Sequence, residues 1–143
     1  MTFHPELQAE ADKDLVIDDT ELDTESLKTP ILHNKYLQYY NKFNLLLKKT
    51  QWEERTLNRE KWEYYTGKSD PSVYKDKPFD IKVLRADVHI YINSDDELQK
   101  IQAKVVYQEA IVYYLEQILK IITNRSFTIK NAIEWRRFTS GAL

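Results

Sequence analysis

Residues Ser94–Thr123 read SDDELQKIQAKVVYQEAIVYYLEQILKIIT, and the spacing of their apolar positions decides the fold. Leu98, Ile101, Val105, Val112, Leu115, Leu119 and Ile122 alternate by three and four, with Gln108 at the central place. That is the heptad spacing of a helix burying a seam. A second face carries Val106, Ala110, Tyr113, Tyr114, Ile118 and Ile121. Apolar groups over so much of the circumference predict burial on several sides. A chain of 143 residues offers little else to cover such a helix, so self-association is expected, with the seven seam residues as the candidate oligomer interface. Ser94, with Glu97 three residues later, reads as a capping box and places the helix over Asp95–Thr123. Asn124–Ser126 breaks the pattern. Phe127–Phe138 reads as a final helix bearing Ile129, Ile133 and Trp135, with Arg136 and Arg137 near its end.

A second long helix is expected upstream. Thr29-Pro30 reads as an N-cap followed by proline at the first helical position, and the helix is expected to run to about Thr66. Gly67, one of only two glycines, follows the helix-favouring run and predicts a left-handed C-terminal cap. Tyr36, Tyr40, Phe43, Leu47, Thr50, Glu54, Leu57, Lys61 and Tyr64 form its seam. The apolar character fades beyond Thr50, where Arg55, Arg59 and Lys61 appear. The first half is therefore expected to pack and the second half to stay partly open for binding.

The pieces between are less regular. Residues 1–28 form an acidic lead with a short helix expected around Pro5–Asp14. Residues 68–93 form a connector in which Ser69-Asp70-Pro71 and Lys77-Pro78 mark turns. Within it, Ile81–Val83 and Val88–Ile92 have the β-branched character of extended chain. The fold class is thus mainly α, a single domain spanning 1–143. Its parts are the lead (1–28), the long basic helix (29–67), the connector (68–93) and the oligomerisation helices (94–143).

Charge is segregated along these parts. Residues 1–27 hold nine acids and one lysine, whereas residues 28–68 hold nine bases and four acids. The net charge of −2 conceals this, and a basic stretch in a near-neutral protein points to an anionic partner. In Leu57–Asp70 the cations Arg59, Lys61 and Lys68 interleave with Trp62, Tyr64 and Tyr65. Cations neutralise phosphates and rings stack on unpaired bases. Arg55, Arg59, Lys61, Lys68, Lys48, Lys49 and Trp62 are the candidate nucleic-acid-binding residues, and Trp52, Tyr64 and Tyr65 are further stacking faces. The same pattern also fits an ordinary helix end with solvated charges, and a coiled-coil scaffold without nucleic acid remains the rival reading.

Other chemistry finds no pattern. Gly67 and Gly141 are solitary, so no phosphate-cradling loop can be written. His4, His33 and His89 are scattered, and without cysteine no zinc-ligand spacing exists. The pairs Asp18-Asp19 and Asp95-Asp96 read as a charge run and a helix cap. No enzyme and no cofactor is expected. There is neither a run of about 18 apolar residues for a membrane span nor a basic, apolar leader. The absence of cysteine suits a reducing cytoplasm.

The order of motifs resembles a family. Lys13-Asp14-Leu15-Val16-Ile17-Asp18-Asp19-Thr20 and the helix end Tyr64-Tyr65-Thr66-Gly67-Lys68-Ser69-Asp70 look like the UvsY recombination mediators of tailed bacteriophages. Val83-Leu84-Arg85-Ala86-Asp87, Arg125-Ser126-Phe127-Thr128-Ile129-Lys130 and Arg136-Arg137-Phe138 are similar too, in the same order. The resemblance implies a helical subunit of a ring-like homo-oligomer assembled through its C-terminal helices. It implies single-stranded DNA as ligand, with a RecA-like recombinase and the phage single-strand-binding protein as partners, in the cytoplasm of the infected host. The family's paired basic positions fall on Arg59 and Lys61, with the two residue types exchanged and Glu60 between them.

Overall fold

A computed structural model describes residues 3–141 of the chain. In chain order the elements are α1 (Pro5–Asp14), α2 (Leu22–Tyr65), α3 (Pro71–Asp76), a 3-10 turn (Arg85–Asp87), α4 (Val88–Asn93) and α5 (Asp96–Thr139). No strand occurs among the described residues. The chain divides into two compact units, one formed by residues up to Phe43 with those from Ala110 onward, the other by Asn44–Glu109.

In the first unit, α2 begins earlier than its sequence suggests. Asp18 starts a turn, its carboxylate accepting from the Thr20 amide at 3.0 Å and the Thr20 hydroxyl at 2.6 Å. Leu22 then opens the helix, which leaves Pro30 inside it rather than at its first position. A proline there supplies no N–H to the carbonyl four residues back. Arg125 of α5 lies against this interrupted turn, donating to the Glu25 carbonyl and carboxylate and, at 2.9 Å, to Thr29 Oγ1. Thr29 thus accepts from a distant guanidinium instead of capping a helix. Both members of the Glu25–Arg125 pair are buried, and breaking such a pair from one side leaves an uncompensated charge.

The same contact corrects the expected break at Asn124–Ser126, because α5 continues through it to Thr139. Nothing there lacks an amide, and Arg125 is pinned in place. Further along, the Tyr40 hydroxyl donates to Glu116 at 3.3 Å. Together, 25 against 125 and 40 against 116 make the two helices antiparallel within this unit. α1 docks through Lys35, which reaches Glu10 at 2.8 Å and Asp14 at 2.6 Å. Tyr36 and Tyr39 donate to Asp14 and Glu10 at 2.8 and 2.9 Å, while Leu7 and Ala11 are buried.

In the second unit, α2 ends as expected. Gly67 has φ +78°, with the Lys68 amide donating to Glu63 O at 2.8 Å and the Gly67 amide to Tyr64 O at 3.3 Å. This paired closure requires a left-handed residue. The connector is short helices and coil: Val88–Ile92, expected as extended, lies in α4, and Ile81–Val83 has no regular structure. An aromatic cluster overrides local β preference. Tyr64 stacks on Tyr74 at 5.4 Å, and Phe79 touches Tyr64, Tyr65 and Tyr91. The cap of α5 is Asp95 rather than Ser94: Asp95 Oδ1 accepts from the Leu98 amide at 2.9 Å, whereas Ser94 Oγ turns back to the Ile90 carbonyl at 2.7 Å.

The seams face inward. Tyr36, Leu47 and Thr50 of α2 are buried, as are Leu98, Val105, Gln108, Val112, Leu115 and Ile122 of α5; Ile101 and Leu119 are half-buried. Five of the seven α5 positions expected to face other subunits are therefore covered by the chain's own fold. An open face of α5 runs through Tyr113 and Phe127, 63% and 66% exposed.

Candidate nucleic-acid interface

The second half of α2 lies in the Asn44–Glu109 unit. Lys48, Trp52, Arg55, Arg59 and Trp62 recur every four and three residues. At 3.6 residues per turn they share a band roughly 80° wide. All five are exposed. Lys49 borders the band, and Lys68, just past the Gly67 cap, lies over the Trp62 ring with Nζ 4.3 Å from its centroid. Arg59 has one loose carboxylate neighbour, Glu63, at 3.8 Å. Rim charges of this kind are free to exchange partners.

Lys61 stands elsewhere. Two residues on from Arg59, it sits about 200° around the helix, and residues so spaced do not share a face. Its ammonium is 3.3 Å from Asp95 and 3.2 Å from Glu97, with only 13% of the side chain exposed. Lys77 reaches Glu97 at 2.6 Å, and the Tyr65 hydroxyl donates to Asp95 at 2.6 Å. Burial pushes the Asp95 carboxyl up, but the bonds from Tyr65, the Leu98 amide and Lys61 outweigh it and hold the group below its ordinary value. Desolvation first, and then this bond, pushes the Tyr65 phenol well above its usual range. Lys61 therefore fastens α2 to the start of α5.

The structure thus brings together Lys48, Arg55, Arg59 and Trp62, with Lys49 and Lys68 beside them, and separates Lys61 from the group. The sequence already held the signal for that separation, since Lys61 belongs to the four-three seam that faces inward. Asp95 and Glu97, which hold it, carried no such signal, because their pairing spans more than thirty residues. Tyr64 and Tyr65 are likewise taken up by the aromatic cluster. Among the described residues no group of three or more His, Cys, Asp or Glu is placed to hold a metal ion, and no helix is long and apolar enough to cross a membrane.

Comparison with known proteins gives this surface its context. A family described as "Recombination, repair and ssDNA binding protein UvsY" matches residues 10–142. The Recombination protein uvsY of Enterobacteria phage T4 is 21% identical over 136 residues, covering 95% of this chain and 96% of that protein. Two crystal forms of the bacteriophage T4 recombination mediator protein UvsY superpose with TM-scores of 0.85 and 0.82 at 20% and 21% identity. They cover 98% and 97% of this chain and 99% of the T4 chain in each case. The class is that of all-helical recombination and repair proteins. Within it, the chain belongs to the UvsY family.

Proposed function

We propose that this protein is a recombination mediator that binds single-stranded DNA along the exposed band of α2. The observation that carries the reading is the alignment of Lys48, Arg55 and Arg59 with Trp52 and Trp62 on one uncovered face. Lys49 and Lys68 add charge at its edges. Lys61 supports the surface from behind rather than touching phosphate. The sequence carries no glycine-rich RNA-recognition or zinc-finger pattern for base readout, so binding is expected to depend little on sequence.

Self-association strengthens it. A ring-like homo-oligomer repeats the band, and repetition raises effective concentration so that weak contacts become a wrap. The occupant of the open α5 face, where Tyr113, Ile121, Phe127, Trp135 and Phe138 are exposed, is a second copy. The α5 seam (Leu98, Ile101, Val105, Val112, Leu115, Leu119 and Ile122) is buried or half-buried behind that contact. Wrapping by the ring strains segments held by the phage single-strand-binding protein and eases their exchange for a RecA-like recombinase, in the cytoplasm of the infected host. The family membership and the T4 relative named as a recombination mediator support this part of the reading.

An order-of-addition assay tests it. Single strands precoated with the phage single-strand-binding protein receive the recombinase, and the lag before DNA-dependent ATP hydrolysis is recorded. Wild type is expected to shorten the lag, and an Arg55→Ala/Arg59→Ala variant of the same oligomeric size to shorten it much less. An unchanged lag at saturating wild type would sink the mediator reading.

A further inference from the structure

Four rings near the cationic band offer a π-face in sequence, and the structure gives three of them partners. Tyr64 and Tyr65 pack with Tyr74, Phe79 and Tyr91 inside the connector cluster. Trp62 has Lys68 over its face. Trp52 is different: it is 63% exposed, and among the described residues no ring or cation is stacked on it.

Its surroundings are polarised. On one side along the band lie Lys48, Arg55 and Arg59. On the other, Trp52 opens on a shallow groove of about 480 Å³ lined by Lys49, Glu53, Thr56, Leu57 and Glu60. Glu53 and Glu60 outnumber Lys49 there and disfavour a phosphate backbone. An uncharged, flat group meets no such penalty, and Leu57 gives the groove an apolar floor. A sugar-phosphate chain is therefore drawn to the cation side while its bases project across the ring. In a duplex, stacked and paired bases cannot make that projection without unstacking.

Resting on the single-strand reading above, we infer that Trp52 is the base-stacking platform of this surface and the residue that makes it prefer single strands over duplex. The cations supply affinity that any polyphosphate shares; Trp52 supplies the part that requires an unpaired base. Trp62, about 15 Å further along the axis, is held by Lys68 and contributes less.

The test compares oligo-dT with an abasic strand of equal length and with duplex, using the full-length wild type and Trp52→Ala, Trp52→Phe and Trp62→Ala variants. Wild type is expected to favour oligo-dT over the abasic strand. Trp52→Ala should lose about fivefold to a hundredfold on oligo-dT and little on the abasic strand or duplex, with the same salt slope on each. Trp52→Phe should restore most of the preference. An unchanged ratio of oligo-dT to abasic affinity in Trp52→Ala overturns the inference while leaving the DNA-binding reading intact. So does a change in particle size on Trp52→Ala, which would make the ring a contact between subunits. Failure of wild type to bind any strand instead removes the DNA-binding reading on which the inference rests.

Discussion

Arg59 and Lys61 sit two positions apart and do opposite work. Arg59 is two-thirds exposed beside one loose carboxylate; Lys61 is nearly covered and bound to two acids. Removing Lys61 leaves the buried Asp95 carboxylate with one cation fewer, a loss on the order of 1–3 kcal/mol for a buried charged partner. We expect Lys61→Ala to lower the unfolding free energy by about that amount in denaturant titration, and Arg59→Ala to leave it within about 0.5 kcal/mol. Equal destabilisation by both would contradict the assignment. Sequence spacing alone was enough to separate the two, because Lys61 continues the seam from Tyr36 to Tyr64. Reading Arg59 and Lys61 as one motif hides that. Pairings such as Glu25 with Arg125, a hundred residues apart, leave no trace in local pattern.

The helices were legible where periodicity is long and illegible where their ends depend on tertiary contacts. The seams of α2 and α5 face the core as their spacing predicts, and Gly67 caps α2 as its isolation predicts. Pro30 misplaces the start of α2, because a guanidinium from α5 supports the turn it interrupts. Asp95 displaces Ser94 as cap because its second oxygen also takes the Tyr65 hydroxyl and lies by Lys61. α1 makes its own testable case. The Lys35 bond, against opposing burial, holds the Glu10 carboxyl below its ordinary 4.5. Asp14 feels burial pushing upward, but Lys35 and Tyr36 together hold it below 3.8. Carboxyls lowered in the folded chain contribute stability fully above those ordinary values and lose it as pH falls through the lower folded ones. Amide exchange of Pro5–Asp14, corrected for intrinsic rates, should therefore lose protection below pH 3.8 ahead of α5. Loss of α1 protection already at neutral pH, or none ahead of α5 in acid, would show that these carboxylates do not dock it.

At the scale of the whole molecule, the sequence leads one to expect self-association through the α5 seam, and the open apolar surface lies on another face of that helix. Leu98, Val105, Val112, Leu115 and Ile122 are consumed internally, and what stays open lies around Tyr113 and Phe127. A charge there should split an assembly without unfolding its protomers. Phe127→Asp is expected to reduce particle mass in sedimentation with helical content unchanged. Retention of full mass by Phe127→Asp would place the contact between subunits elsewhere.

The most direct measurement is the salt dependence of oligo-dT binding by wild type and by a Lys48→Ala/Arg55→Ala/Arg59→Ala variant, with particle size matched. Each phosphate contact contributes roughly 0.7 to the slope of log affinity against log salt on single strands. Wild type is expected to bind tightly and with strong salt sensitivity, and the variant more weakly with a clearly shallower slope. Equal slopes and affinities would contradict it, and absence of wild-type binding at low salt would leave the coiled-coil scaffold as the better description.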